Sequence, residues 1–285
     1  MDSALTPEHT KAIVEVANAI AAADNSGEYV APADIEAAVT AAKHTRGLWR
    51  DDRLVGYGLV DDVFKGGIHP DHRRQGLGSE LLDWALTTGP TFDLEVQSIN
   101  TGAEALAVSR GFDPIRYFIV MQRPYDDAPL PPVEQQSVAF TPEYDERLRL
   151  AHNEIFADHW GTEPKTEDDW RTWFTGHRAF RADHSRLIVD EDRIASYALA
   201  YEFDADTEAT GVRELWIGQV GTRREDRGRG LGTTAVSAVL QAGAEAGFER
   251  AGLGVDSANL TGAERIYARL GFETVSTKIL YRRTA

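Results

Sequence analysis

The chain has 285 residues, 42% of them hydrophobic and 27% charged, a length beyond what one hydrophobic core usually serves. Thirty Lys and Arg against 46 Asp and Glu leave a net charge of −16, which argues against nucleic acid or an anionic membrane as the main partner. Cysteine is absent, so disulfides, thiolate metal sites and a cysteine nucleophile are excluded.

The opening MDSALTPEHTKAI carries early acids and no long apolar run, so no secretory leader is expected. No stretch reaches the roughly 20 apolar residues of a membrane helix, and a soluble cytoplasmic protein is the expectation. Thr6-Pro7 supply an N-cap and a first-turn residue for a helix over TPEHTKAIVEVANAIAAA. GLWRDDRLVGYGLV then reads as two strands with Asp51-Asp52 at the turn. VFKGGIHP, short and glycine-rich for a strand, leads into Arg73, Gly76 and Gly78, an Arg-x-x-Gly-x-Gly turn that opens a helical pattern. A strand (DLEVQSI), a helix after TGAE (Thr101–Glu104), the pair Gly111-Phe112 and a last strand (YFIVMQR) close the first half.

RPYDDAPLPPVEQQSV, residues 123–138, has no periodicity, and Pro129, Pro131 and Pro132 favour an extended linker. It divides the chain into an N-terminal domain over 1–124, a linker over 125–138 and a C-terminal domain over 139–285. The second half repeats the order of the first. A hairpin turns at Asp190–Asp192, a strand ends near Val220, and Arg227, Gly230 and Gly232 precede a helix from about Leu231 to Ala242. GLGVDSA, a second TGAE at Thr261–Glu264, Gly271-Phe272 and TKILYRR follow. Arg73 and Arg227 lie 154 residues apart and the two TGAE segments 160 apart, so the chain reads as a tandem duplication. Its fold class is α/β in the α+β sense: two domains, each a central mixed, mostly antiparallel sheet flanked by helices.

The glycine turn carries the chemistry. A helix N-terminus has free N–H groups and about half a positive charge, and glycines let backbone approach an anion closely. An acidic protein thereby gains a local seat for a phosphate or pyrophosphate. No Gly-Lys-Ser/Thr ends the turn, so it is not a P-loop. Charged residues stand where a dinucleotide fingerprint would put glycines.

On Arg227–Gly232 and Arg73–Gly78, each followed by an Asn, a helix and Gly-Phe, the sequence resembles tandem-domain members of the GNAT (Gcn5-related) N-acetyltransferase superfamily, among them those that make mycothiol. The resemblance implies acetyl-CoA as cofactor. Its pyrophosphate would meet Arg227, Gly228, Arg229, Gly230, Leu231, Gly232 and Thr233, and its pantetheine arm the strand at Val220, Gly221 and Thr222. It further implies that Asn259 contacts the cofactor and that Tyr267 protonates the leaving thiolate. In the first copy the matching cofactor positions are Gly66, Gly67, Ile68, Arg73, Arg74, Gly76 and Gly78. Independently, aminolysis of a thioester needs a neutral amine, a donor for the carbonyl oxygen and an acid for the sulfur.

The halves are unequal. Tyr267 lies four residues before Gly271, whereas Ala107 holds that place before Gly111. Catalysis is therefore assigned to the second half, and the first is read as a degenerate copy that either binds CoA or only packs. Glu214 is the candidate general base; the strand glutamate of the mycothiol-making relatives falls on Trp216, two residues away, so a solvated acid at a strand start stays open as the other reading. In HNEIFADHWGTEPKTEDDWRTWF, the residues Asp158, His159 and Trp160 are candidates for the acceptor site, against a helix packing its aromatics. No third ligand at fixed spacing accompanies His152 and His159, so no metal site is expected. The sequence thus points to an N-acetyltransferase for a small-molecule amine, monomeric or homodimeric. A mycothiol synthase is the specific alternative, and a CoA-binding regulatory protein the alternative of another class.

Overall fold

The computed structural model describes residues 2–89, 92–126, 129–257 and 263–283. By its internal contacts the chain divides into two compact units, Met1–Val120 with Val255–Asn259 and Thr274–Ala285, and Met121–Gly254 with Leu260–Glu273.

The first unit begins with β1 (Asp2–Ser3), α1 (Thr10–Ala23) and α2 (Pro32–Ala41). The strands β2 (His44–Arg50), β3 (Arg53–Val60) and β4 (Val63–Ile68) follow, then α3 (Leu77–Thr88), β5 (Asp93–Gln97), α4 (Thr101–Ser109) and β6 (Phe112–Pro124), whose last four residues belong to the second unit. Neighbouring strands are antiparallel except β4 and β5, which run parallel. Asp51 (φ 47°) and Asp52 (φ 60°) both take the left-handed conformation, the geometry of a two-residue hairpin turn that Asp tolerates. VFKGGI forms a full strand despite its glycines, because a Cβ at Gly66 would run into the Tyr57 carbonyl oxygen of β3. α1 buries Ile13, Val16 and Ala17 against Leu54, Tyr57 and Leu59 of β3.

The second unit holds β7 (Val138–Ala139), α5 (Asp145–Ile155), α6 (Glu167–Trp173), β8 (Arg186–Asp190), β9 (Arg193–Tyr201) and α7 (Asp204–Thr210). Then come β10 (Glu214–Thr222), α8 (Leu231–Glu245), β11 (Arg250–Asp256), whose last two residues belong to the first unit, and α9 (Ala263–Arg269). β9 is buried from Ile194 to Tyr201. Such a strand needs cover on both faces: Leu148, Trp170 and Phe174 of the α5–α6 region pack on Tyr197 and Leu199, and α8 packs on the other side.

The last strand, β12 (Glu273–Arg283), lies from Thr274 onward in the first unit, antiparallel to β5 from Lys278↔Gln97 to Arg282↔Asp93. Arg282 donates two hydrogen bonds to Asp93, at 2.8 and 2.7 Å, and Lys278 pairs with Glu95 at 3.2 Å. This differs from the expectation that TKILYRR closes the second half. The two closing strands have similar composition, so which sheet each joins is decided by long-range pairing rather than by its own residues.

The proline-rich segment is anchored on the second unit. Arg123 donates to the Pro129 carbonyl and Gln241 of α8 to the Pro131 carbonyl. Among the described residues, no helix is long and apolar enough to cross a membrane.

Candidate active site

β10 and β11 pair in parallel from Glu214↔Arg250 to Ile217↔Leu253, the last pair of their register. At the same point the register of β10 with β9 shifts between Ile217 and Gln219, a bulge centred on Gly218. Beyond it Gln219–Thr222 remain paired with β9. The residues expected to face a cofactor, Val220, Gly221 and Thr222, thus lie past the end of the β10–β11 register.

This stretch is held from behind. Tyr197 lies opposite Gly221, and Ser196, fully buried, donates from Oγ to the Gly221 carbonyl at 2.8 Å and meets Thr222 Oγ1 at 2.9 Å. Tyr197 is bonded in turn to His152 Nδ1 at 2.7 Å. Burial pushes the tyrosine well above its ordinary pKa and the histidine down to about 4, so both are neutral near pH 7.

The loop then turns through Gly228 (φ 76°) and Gly230 (φ 78°), both in the left-handed region that favours glycine, and Gly230 is the N-cap of α8. Arg227 donates Nε to the Thr222 carbonyl at 3.3 Å and is exposed. Leu231, Gly232 and Thr233 form the first turn of a 15-residue helix, where N–H groups have no intrahelical partner. A Cβ at Gly232 would sit 3.0 Å from Thr222 Oγ1, so glycine lets helix and strand end meet. Asp226, buried, receives Arg193 and Arg229 at 2.6 Å each, and the Arg193 hydrogen bonds hold its carboxyl below the usual range. Arg229 is therefore folded back on the loop, while Arg227 stays on its surface.

Two residues of the extended segment reach this loop. Gln135 donates to the Arg229 carbonyl at 3.0 Å, and Glu134 lies 3.9 Å from where a Cβ of Gly230 would be. Neither these nor Ser196, Tyr197 and Asp226 stand out in the sequence.

Tyr267 is on α9, 9% exposed, edge-to-face with Phe272 at 6.1 Å, and burial pushes its phenol up to about 12. Asn259 falls outside the described residues. Glu214 is buried, with Oε2 bound by Arg250 and by Gln122 at 2.8 Å. Burial raises its pKa, opposed by Arg250 and Gln122. The candidate acceptor residues are dispersed: Asp158 pairs with Arg224 ahead of the loop, His159 packs on Phe156 at 4.5 Å, and Trp160 is 44% exposed. Glu154 likewise pairs with Arg223.

The first unit repeats the strand end, loop and helix cap, while its β3–β4 register runs without a shift from Gly56↔Ile68 to Val60↔Phe64. β4 and β5 pair in parallel at Val63↔Asp93 and Phe64↔Leu94, and Arg73 donates Nε to the Ile68 carbonyl at 3.3 Å, as Arg227 does to Thr222. Gly76 (φ 84°) caps α3. A cavity of about 660 Å³ opens here, bordered by Gly66, Gly67 and Ile68 on the strand and by Arg73, Arg74, Gly76 and Gly78 on the loop. Asp24, 6% exposed, occupies the Arg73 guanidinium at 2.6 and 3.1 Å and accepts from Asn100 at 2.9 Å. Arg74 (φ 62°) stands where the second copy has Gly228.

Residues 21–112 and 146–272 match the acetyltransferase (GNAT) family. A mycothiol acetyltransferase of Kytococcus sedentarius is 33% identical over 97% of this chain and 95% of its own, and one of Thermobispora bispora 31% identical over 83% and 82%. In fold, a GCN5-related N-acetyltransferase of Sphaerobacter thermophilus superposes with a TM-score of 0.77 at 24% identity, covering 99% of this chain and 95% of that one. A tandem GNAT protein of the clavulanic acid biosynthesis pathway superposes with a TM-score of 0.68 at 16% identity, covering 99% and 97%. With the family pattern matched once in each half and the splayed strand, glycine loop and helix present in both, this chain belongs to the GNAT acetyltransferase family as a tandem-repeat N-acetyltransferase.

Proposed function

We propose that the chain transfers an acetyl group from acetyl-CoA to the amine of a small molecule, with catalysis in the second repeat. The observation that carries this reading is the continuous run from the β10 bulge through two left-handed glycines into α8, with an exposed Arg227 beside it. These residues fit a pyrophosphate cofactor: free N–H groups, a cation and no Cβ at the turn. Acetyl-CoA bound there supplies an acetyl group already activated as a thioester.

Arg227 and the first turn of α8 hold the pyrophosphate, with Gly228, Arg229 and Gly230 shaping the seat. The backbone of Val220, Gly221 and Thr222 pairs with the pantetheine arm and polarises the carbonyl. Asn259 adds a cofactor contact. Tyr267 gives its proton to the departing sulfur; its raised pKa keeps the phenol protonated until that step. Glu214 takes the proton from the acceptor amine, a role its burial supports by raising its proton affinity. Asp158, His159 and Trp160 border the acceptor side. The first repeat holds a second CoA in the cavity by the Arg73–Gly78 loop without turning it over, since Ala107 replaces the tyrosine.

The finer reading is mycothiol synthesis, favoured by 33% identity across 97% of the chain to a protein of that name. CoA release from acetyl-CoA, measured with the cysteinyl glucosaminyl-inositol precursor, aminoglycosides and polyamines, tests both levels. Acceptor-dependent release that falls in Tyr267→Phe is expected. Tight acetyl-CoA binding with no release for any acceptor would favour a regulatory CoA-binding protein.

A further inference from the structure

Three glycines in the second unit give their side-chain space to two aromatic rings. A Cβ on Gly218 would lie 2.7 Å from Tyr201 Cε2 and 3.5 Å from Trp216 Cδ1. One on Gly252 would lie 2.8 Å from Trp216 Cε3, and one on Gly254 3.6 Å from Trp216 Cζ2. The indole therefore lies along β11, beside Gly252 and Gly254, with its five-membered ring toward the bulge at Gly218. Trp216 pairs with Tyr201 across β10–β9, and the Tyr201 ring runs parallel to Phe203 at 6.3 Å and 11°. Tyr201 is buried and Trp216 only half-buried, so the accessible part of this floor is the indole. It is on the side away from α8, because its neighbour Leu215 reaches Gly243 of that helix.

The floor carries no net charge. The carboxylate beside it, Glu214, also leans on Gly252 and is matched by Arg250. A bare cation thus finds no extra attraction there beyond the ring itself. A second ring gains from stacking and loses little rotamer freedom, whereas a linear chain covers less area and has more torsions to freeze.

We propose that Trp216 determines acceptor specificity: the accepted amine carries within a few bonds of its nitrogen a ring with a flat apolar face, pyranose or aromatic, which lies on the indole. This rests on the acetyl-transfer reading of the second unit.

The test measures binding and turnover separately on the full chain in the presence of CoA or acetyl-CoA. Glucosamine represents the pyranose, phenethylamine the aromatic ring and 1,4-diaminobutane the linear amine. At least one ring amine should bind, and be acetylated with a kcat/KM about tenfold above that of the linear amine. Trp216→Ala should remove that preference through KM, and Trp216→Phe should restore most of it, with melting curves confirming that both variants fold. Preference for glucosamine or for phenethylamine identifies the ring type, and either result supports the proposal. Equal use of the linear amine, a preference that survives Trp216→Ala, or no ring-dependent binding to the folded wild type overturns it. Ring binding that depends on Trp216 without any acetylation would leave this inference standing and defeat the acetyl-transfer reading.

Discussion

Tyr197 occupies the side-chain space of Gly221: a Cβ there would lie 2.6 Å from Tyr197 Cε1 and 2.9 Å from its hydroxyl oxygen. The first unit has the same pairing, Tyr57 opposite Gly67. Because the tyrosine is fully buried and bonded to His152, it has nowhere to retreat. Gly221→Ala should therefore displace the cofactor strand, lowering stability by about 1–3 kcal/mol and weakening acetyl-CoA binding. Thermal melting and a CoA titration check this; wild-type values in both would show that the strand has slack.

Tyr267→Phe should lower kcat by about 10²–10⁴ and leave CoA affinity unchanged. Since burial holds the phenol at about 12, its ionisation should not shape the rate below about pH 11. An alkaline limb near pH 8 that vanished in the variant would rule out the neutral phenol as the acid.

His152 should make stability sensitive to mild acid. Burial takes its pKa from 6.5 to about 4. Between those values the unfolded chain binds a proton that the folded chain excludes. The contribution is whole above pH 6.5 and disappears as pH falls toward 4, amounting to about 3 kcal/mol. Denaturant melts of the wild type and His152→Gln across that range should show a flatter acid slope in the variant. Parallel curves would place the sensitivity elsewhere.

Arg74 is a non-glycine residue at φ 62°, and its guanidinium lies 3.4 Å from where a Cβ of Gly102 would be, on the wall of the first unit's cavity. Arg74→Gly should gain up to about 1 kcal/mol from relieved backbone strain while weakening CoA binding to the first repeat. Calorimetry that resolves two CoA sites, with only one weakened, is the expected result. A drop in stability would mean that the side-chain contacts outweigh the strain.

Local chemistry made much of this fold legible in the sequence. Asp51-Asp52 and Asp190–Asp192 announce hairpins, and Arg-x-x-Gly-x-Gly marks the two loops because few other residues can turn a strand so tightly into a helix N-terminus. What stayed hidden is what depends on distant partners. Nothing near Asp24 says that it will hold Arg73 and Asn100. Nothing near Asp158 says that Arg224 will be its ion-pair partner. Trp216 reads in the sequence only as a missing glutamate; its glycine bed on β11 appears once Gly252 and Gly254 are set beside it.

Because β12 lies in the first unit beside β5, that unit is finished by residues that follow the whole second repeat in the chain. While the second repeat is being synthesised, the edge of β5 has to wait without this partner, an exposed pairing edge in a nascent protein. Truncating the chain before β12 would therefore damage the first unit rather than the second. Expressing residues 1–124 alone would yield a piece lacking that strand, so the duplicated gene has become a single folding commitment that cannot be cut back into its two ancestors at the linker.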